Sequence, residues 1–285
     1  MKRYILFAAI AMMAVPATAY AQAELMTKKR DIQNVSSMIT KVVISGDDAF
    51  INLILEDEIE RNWTVSPYEF CDLAEFEKSK CDTNYFFLIR TKGQYKNEDS
   101  PTVEFLSLLR GGPKAGQGLD KMAEVISLPF RAADDMEGRC ASFLPAFINI
   151  IQEHIPKVTR SDISAYTAMN SYKGQDLKDF SGDILFCPED ISRKTDTGLI
   201  EEISSGRMFV TTSDDIGLAA EEMRPGTVVS YTIAPEGGRF AFNMLISTED
   251  YKLLYFRKYR MTGKENAGFG KAELKKLSLI IKNGK

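Results

Sequence analysis

The chain offers little to nucleophilic or metal chemistry. Its one histidine is His154, and its four cysteines stand far apart at Cys71, Cys81, Cys140 and Cys187. A serine or cysteine nucleophile needs a base held beside it. His154 falls three residues after Ile151 and seven after Phe147, on the apolar side of an amphipathic run, and this spacing predicts burial. There is no G-x-S-x-G, no C-x-x-C, no His and Cys set at zinc spacing and no D-x-D-x-D-G calcium loop. The sequence therefore nominates no catalytic residue, no metal ligand and no cofactor.

A basic and aromatic run is more informative. In Tyr255-Phe256-Arg257-Lys258-Tyr259-Arg260-Met261, strand alternation puts Tyr255, Arg257 and Tyr259 on one face and Phe256, Lys258 and Arg260 on the other. Both faces carry cations in a chain whose formal charge is -4. Such a strand could bind an anionic glycan or an acidic envelope protein through charge and stacking. Equally, it could be an edge strand whose cations block pairing with other chains.

Other charged and glycine-rich stretches carry weaker signals. Glu56-Asp57-Glu58 with Glu60, and Glu201-Glu202, have the spacing of solvated helix faces. The stretch from Gly111 to Gly118 resembles an anion-binding loop ahead of a helix. It lacks Gly-Lys-Ser/Thr and follows a hairpin strand, so it is read as a turn. Gly268-Phe269-Gly270 is read in the same way.

The N-terminus has the pattern of a cleavable export signal: Lys2 and Arg3, an apolar stretch from Tyr4 to Val15, then Pro16 and Ala19-Tyr20-Ala21 before a cut at Gln22. The apolar stretch falls short of the ~20 residues needed to span a bilayer. Cleavage would remove two cations and take the formal charge from -4 to -6. That disfavours nucleic acid as a partner. The expectation is a soluble periplasmic or secreted protein without a transmembrane segment. Export permits disulfides, but a helix between Cys71 and Cys81 would hold them ~15 Å apart, beyond the ~7 Å limit.

The elements required to position these residues form a pattern used twice. The first unit, residues 22–130, reads as a strand at Lys41–Ile44, a helix from Ala49 to about Arg61 with Phe50, Leu53 and Ile54 on its apolar face, and a strand at Trp63–Phe70. A short helix capped by Asp72, a hairpin of Tyr85–Ile89 with Val103–Leu109, and a helical pattern at Leu119–Val125 follow. A helical connector, residues 131–180, contains the amphipathic Ala141–Ile155. The second unit, residues 181–285, has strands at Ile184–Cys187, Met208–Thr212, Thr227–Ile233, Phe240–Ser247 and Tyr251–Met261. Helices are expected near Gly198–Ser205, from Asp214 through Met223, and from Lys271. Val42–Asp48 superposes on Ile184–Asp190, and Asp72–Ile89 on Asp214–Tyr231, both at a spacing of 142 residues (184 against 42).

The fold class is thus α/β (α+β): two similar small domains, each a mixed sheet with flanking helices in the order βαβαββ(β)α, with duplication as the reading of their likeness. This order resembles the thioredoxin-like topology and, less closely, small α/β domains of bacterial envelope assembly proteins. The resemblance rests on element order, and the thioredoxin redox residues are absent. The leading functional expectation is a non-enzymatic binding or interaction module of the cell envelope. The rival is a hydrolase whose carboxylates converge only on folding.

Overall fold

A computed structural model describes residues 29–135, 138–204 and 206–282. The expected export signal lies outside the described residues. The first unit contains α1 (Lys29–Ile32), β1 (Ile39–Ile44), α2 (Ala49–Asn62), β2 (Tyr68–Asp72), α3 (Leu73–Ser79), β3 (Tyr85–Gly93), β4 (Val103–Arg110) and β5 (Ala123–Ala132), followed by α4 (Leu144–Val158) and α5 (Asp162–Thr167). The second contains β6 (Asp183–Phe186), α6 (Gly198–Ser204), β7 (Met208–Val210), α7 (Ser213–Glu221), β8 (Thr227–Ile233), β9 (Phe240–Ser247), β10 (Leu253–Arg260) and α8 (Lys271–Lys282).

Two five-stranded mixed sheets result, ordered β2-β1-β3-β4-β5 and β7-β6-β8-β9-β10. In the first, β1 runs parallel to β2 and β3, and the hairpin strands β3, β4 and β5 are antiparallel. In the second, β6 runs parallel to β7 and β8, with β8, β9 and β10 antiparallel. Parallel neighbours need a crossover, which α2 and α3 supply in one sheet and α6 and α7 in the other. The two sheets match strand for strand, and α8 follows β10 as α4 follows β5.

Alternation along the strands builds three apolar layers. Val43, Phe87, Ile89 and Leu109 pack under Phe76 of α3. Val42, Phe86, Leu88, Leu106 and Leu128 face α2 and α4, and this layer continues through Ile216 and Ala219 of α7 to Val229, Tyr231 and Phe242 of the second sheet. On that sheet's far side, Ile184, Phe186 and Val228 meet Ile200 of α6 and Leu274, Leu277 and Ile281 of α8. The helix face of the first unit is therefore stacked on the α7 face of the second.

Several elements depart from expectation. Leu119–Lys121 is a short 3-10 turn, and the segment from Ala123 enters β5. Pairing with β4, from Val103 opposite Ala132 to Arg110 opposite Ala123, makes the segment a strand. In α2 the buried stripe is Ile51, Leu55 and Ile59, whereas Phe50 and Leu53 are 62% and 65% exposed. The rotation of α2 accompanies its N-cap, where the Asp48 carboxylate accepts from Ile51 N–H at 3.1 Å. Trp63 is the C-cap of α2, so β2 begins only at Tyr68. Thr212, and not Asp214, caps α7. No helix among the described residues is long and apolar enough to cross a membrane.

Candidate functional site

β10 is the edge strand of the second sheet, so the basic run has the edge position that its charge pattern suits. Its first half is partly covered: Phe256 N–H donates to Tyr172 O at 2.8 Å, and Gly174 N–H to Leu254 O at 3.0 Å. Leu253 to Phe256 are buried, while Arg257 and Arg260 are exposed. The alternation is as expected. On one side, the buried Glu273 carboxylate of α8 accepts from Tyr255 Oη at 2.8 Å and from Arg257 at 2.6 Å, with Asn243 as a further donor. Tyr259 Oη donates to Gly268 O at 3.2 Å and accepts from Gly268 N–H at 2.6 Å. Burial pushes the Tyr259 phenol up to about 12. On the other side, the Lys258 ammonium lies 4.5 Å from the Tyr95 ring and 4.6 Å from the Phe240 ring.

A groove of about 610 Å³ opens beside this strand. Tyr255, Arg257, Lys258 and Glu273 line it together with Lys173 and Lys276. The structure thus gathers three of the five nominated residues and leaves Tyr259 and Arg260 outside the groove lining. It adds two lysines that sequence reasoning missed, one from the segment crossing the β10 edge and one from α8. Their signal was weak: each is a single lysine in a polar stretch, and only folding brings them together. Three cations, Lys173, Arg257 and Lys276, border one carboxylate, which Arg257 holds, whereas the Lys258 ammonium lies on the other face over the Tyr95 and Phe240 rings.

Two buried charge clusters were also missed. The Asp190 carboxylate, 1% exposed, accepts from both terminal nitrogens of Arg139 at 2.8 Å each, from Ser230 Oγ at 2.5 Å and from Thr232 N–H at 2.9 Å. Burial alone would raise its pKa, but the Arg139 guanidinium and these donors hold it below the usual carboxylate range. The first unit places Asp48 at the equivalent position, where Arg131 donates at 2.8 Å. Arg131 also contacts Glu104 at 2.7 Å, and Arg90 contacts Glu104 at 3.1 Å. The 142-residue superposition had already aligned Asp48 with Asp190 and was the available signal. Asp190 is held by Arg139 and fixed donors and Glu104 by Arg90 and Arg131, arrangements suited to anchoring and not to proton transfer.

The remaining sequence features are structural. All four cysteines are free. Burial pushes the Cys71 and Cys140 thiols up to about 11 and Cys187 further up, opposite to the depressed value a redox thiol needs. Gly111 allows close approach, since a Cβ there would lie 2.1 Å from Asp82 O. Gly268 has φ +93°, and a Cβ would meet Asp190 O at 2.4 Å; Phe269 N–H donates to Asp190 O at 2.7 Å. Glu201 and Glu202 are exposed, but Glu58 is buried and accepts from Asn62 at 2.7 Å. Among the described residues, no group of three or more His, Cys, Asp or Glu side chains could hold a metal. No protein-family model, no curated protein and no solved structure matches the chain.

Proposed function

We propose that the protein is a non-enzymatic binding module, exported to the cell envelope after signal cleavage, that captures an anionic partner in the groove between β10 and α8. The observation that carries this reading is the convergence of Lys173, Arg257 and Lys276 on a groove whose one carboxylate, Glu273, is already paired. In a chain of net negative charge, a local excess of cations focuses attraction on one face. Tyr255 and Phe256 also border the groove at the strand edge, where a sugar ring or an aliphatic stem could lie. An acidic glycan of the envelope fits this combination of cations and aromatic residues. The rival hydrolytic reading needs two carboxylates facing a common cleft, and the arginine-saturated Glu104 and Asp190 lend it no support. The resemblance to thioredoxin-like domains contributes nothing, because it rests on element order alone.

The test is capture by the mature protein of acidic glycans and of proteins from its own envelope, with a salt titration. Lys173→Glu with Lys276→Glu should weaken glycan capture about tenfold or more. Arg260→Glu, outside the groove lining, should have a much smaller effect. Equal losses would place the contact on the strand edge and not in the groove. Salt-insensitive capture, or capture unaffected by the lysine pair, would overturn the reading.

A further inference from the structure

A strand at the edge of a sheet offers N–H and C=O groups that another strand can take up. The two sheets of this chain end on four such strands: β2, β5, β7 and β10. Three of them are guarded. β7 is only three residues long, and β5 carries Pro129 within its length. β10 is bonded in its first half by Tyr172 and Gly174, and its second half is cationic. Short length, proline, cover and cations are the devices that keep edges from pairing. β2, Tyr68-Glu69-Phe70-Cys71-Asp72, has five residues, no proline and no cation. Its mid-strand acid, Glu69, is paired with Lys41 of β1 at 3.1 Å.

The register shows which groups β2 offers. Thr40 N–H donates to Pro67 O at 2.8 Å, and Thr40 is the ladder partner of Tyr68. In a parallel ladder a residue bonds the two neighbours of its partner and not the partner itself. Pro67, Glu69 and Cys71 therefore turn their backbone groups towards β1, and Tyr68 and Phe70 turn theirs away. Among the described residues, no turn or loop backbone takes up those of Tyr68 or Phe70. The Tyr68 and Phe70 rings stand edge to face with centroids 5.7 Å apart, and Phe70 is exposed.

This edge is its own complement. Antiparallel pairing with β2 of a second copy, centred on Phe70, puts Phe70 opposite Phe70, Tyr68 opposite Asp72 and Glu69 opposite Cys71. The outward groups of Phe70 then meet those of its counterpart, the aromatic rings continue across the junction, and no like charges stand opposite one another. Charge selects this register: centring on Glu69 would oppose two carboxylates, and centring on Cys71 would set Phe70 against Asp72. A two-fold contact of this kind uses each edge once, so it closes as a dimer and not as a fibre.

We propose that the protein forms a two-fold dimer in which the β2 strands of two copies pair antiparallel about Phe70, joining their five-stranded first sheets into one continuous sheet. The contact lies on the sheet that does not carry the β10 groove, so it does not depend on glycan binding there.

Sedimentation equilibrium of the full mature chain over a range of concentrations should show monomer and dimer in exchange. Phe70→Pro removes the central outward donor and leaves the ladder to β1 intact, because Phe70 N–H takes no part in it; dimerisation should weaken about tenfold or more. Phe70→Lys keeps the N–H, sets two cations opposite one another and should weaken it as well, which covers the case in which the proline variant does not fold. Leu279→Lys, at an exposed apolar residue of α8, should leave dimerisation unchanged. Glu69→Cys reads the register: the introduced thiol would face Cys71 of the second copy at a non-hydrogen-bonded pair, where Cα atoms lie ~4.5 Å apart, within disulfide reach. Mild oxidation should then give a covalent dimer whose linked peptide joins those two positions. A chain monomeric at every concentration, a dimer that survives Phe70→Lys, or a covalent dimer linked elsewhere would overturn the proposal.

Discussion

Helices α4 and α8 hold the same place in their units, yet they are built for opposite surroundings. Leu144, Phe147, Ile148, Ile151 and Ile155 of α4 point in several directions around the axis, and all are buried, because α4 is covered by its own sheet and by the second unit. α8 buries a stripe of Leu274, Leu277 and Ile281 and presents Lys275, Lys276 and Leu279 outward. The difference is that between an internal and a terminal repeat in a stack, where the terminal helix needs a polar outer face. α3 and α7 differ in the same sense: α3 buries Phe76, and α7 buries Ile216, Ala219 and Ala220 against the core shared by both units.

The contrast can be tested by unequal losses at matched positions. Phe147→Ala should destabilise the protein by about 3–5 kcal/mol, read by denaturant unfolding, whereas Leu279→Ala should stay within about 0.5 kcal/mol. Comparable losses would mean that α8 is covered in solution.

The two equivalent acids extend the test to buried charge. Asp190→Ala leaves Arg139 without its partner and should cost about 3–5 kcal/mol. Asp48 is 22% exposed at the side chain and acts mainly as a helix cap, so Asp48→Ala should cost about 1–2 kcal/mol. If the two proved equal, the units would share energetics as well as topology.

A pH-dependent effect follows from His154. Its folded-state pKa, about 3, lies below the unfolded value of 6.5. Between those values the unfolded chain binds one more proton than the folded one, so stability falls as pH drops through the window. The slope is about 1.4 kcal/mol per pH unit. Stability measured from pH 7 to pH 4 should lose this component in His154→Gln. An unchanged slope would assign the acid sensitivity to carboxylates such as Asp190, whose depressed pKa contributes stability above its unfolded value of 3.8 and loses it as pH falls further.

Much of the local structure was legible in the chain because local rules decide it. Asp72 caps α3 as its position predicts, accepting from Glu75 N–H at 2.7 Å. The hairpin of β3 and β4 follows from two apolar runs around a polar loop, and the burial of His154 from its spacing to Phe147 and Ile151. β5 was missed because its pattern in isolation suits a turn and a helix, and pairing with β4 decides otherwise. The apolar face of α2 was misplaced because Phe50 and Leu53 are as hydrophobic as Ile51 and Leu55. Which side turns inward depends on the sheet beneath.

The same division applies to the candidate sites. Sequence alone determined that Arg257, Lys258 and Arg260 would share one strand, that successive side chains would take opposite faces, and that two acids 142 residues apart would occupy equivalent turns. These follow from strand periodicity and from a repeated pattern, both short-range properties. Only the tertiary structure decided that Lys173 and Lys276 would complete the groove, that Arg131 and Arg139 would reach the two acids, and that Tyr172 would orient the one imidazole. Those approaches bring together residues from 18 to 103 positions apart (172 against 154, and 276 against 173). No local preference encodes such approaches; they exist because burying the apolar faces of two stacked sheets draws the polar groups at their margins together.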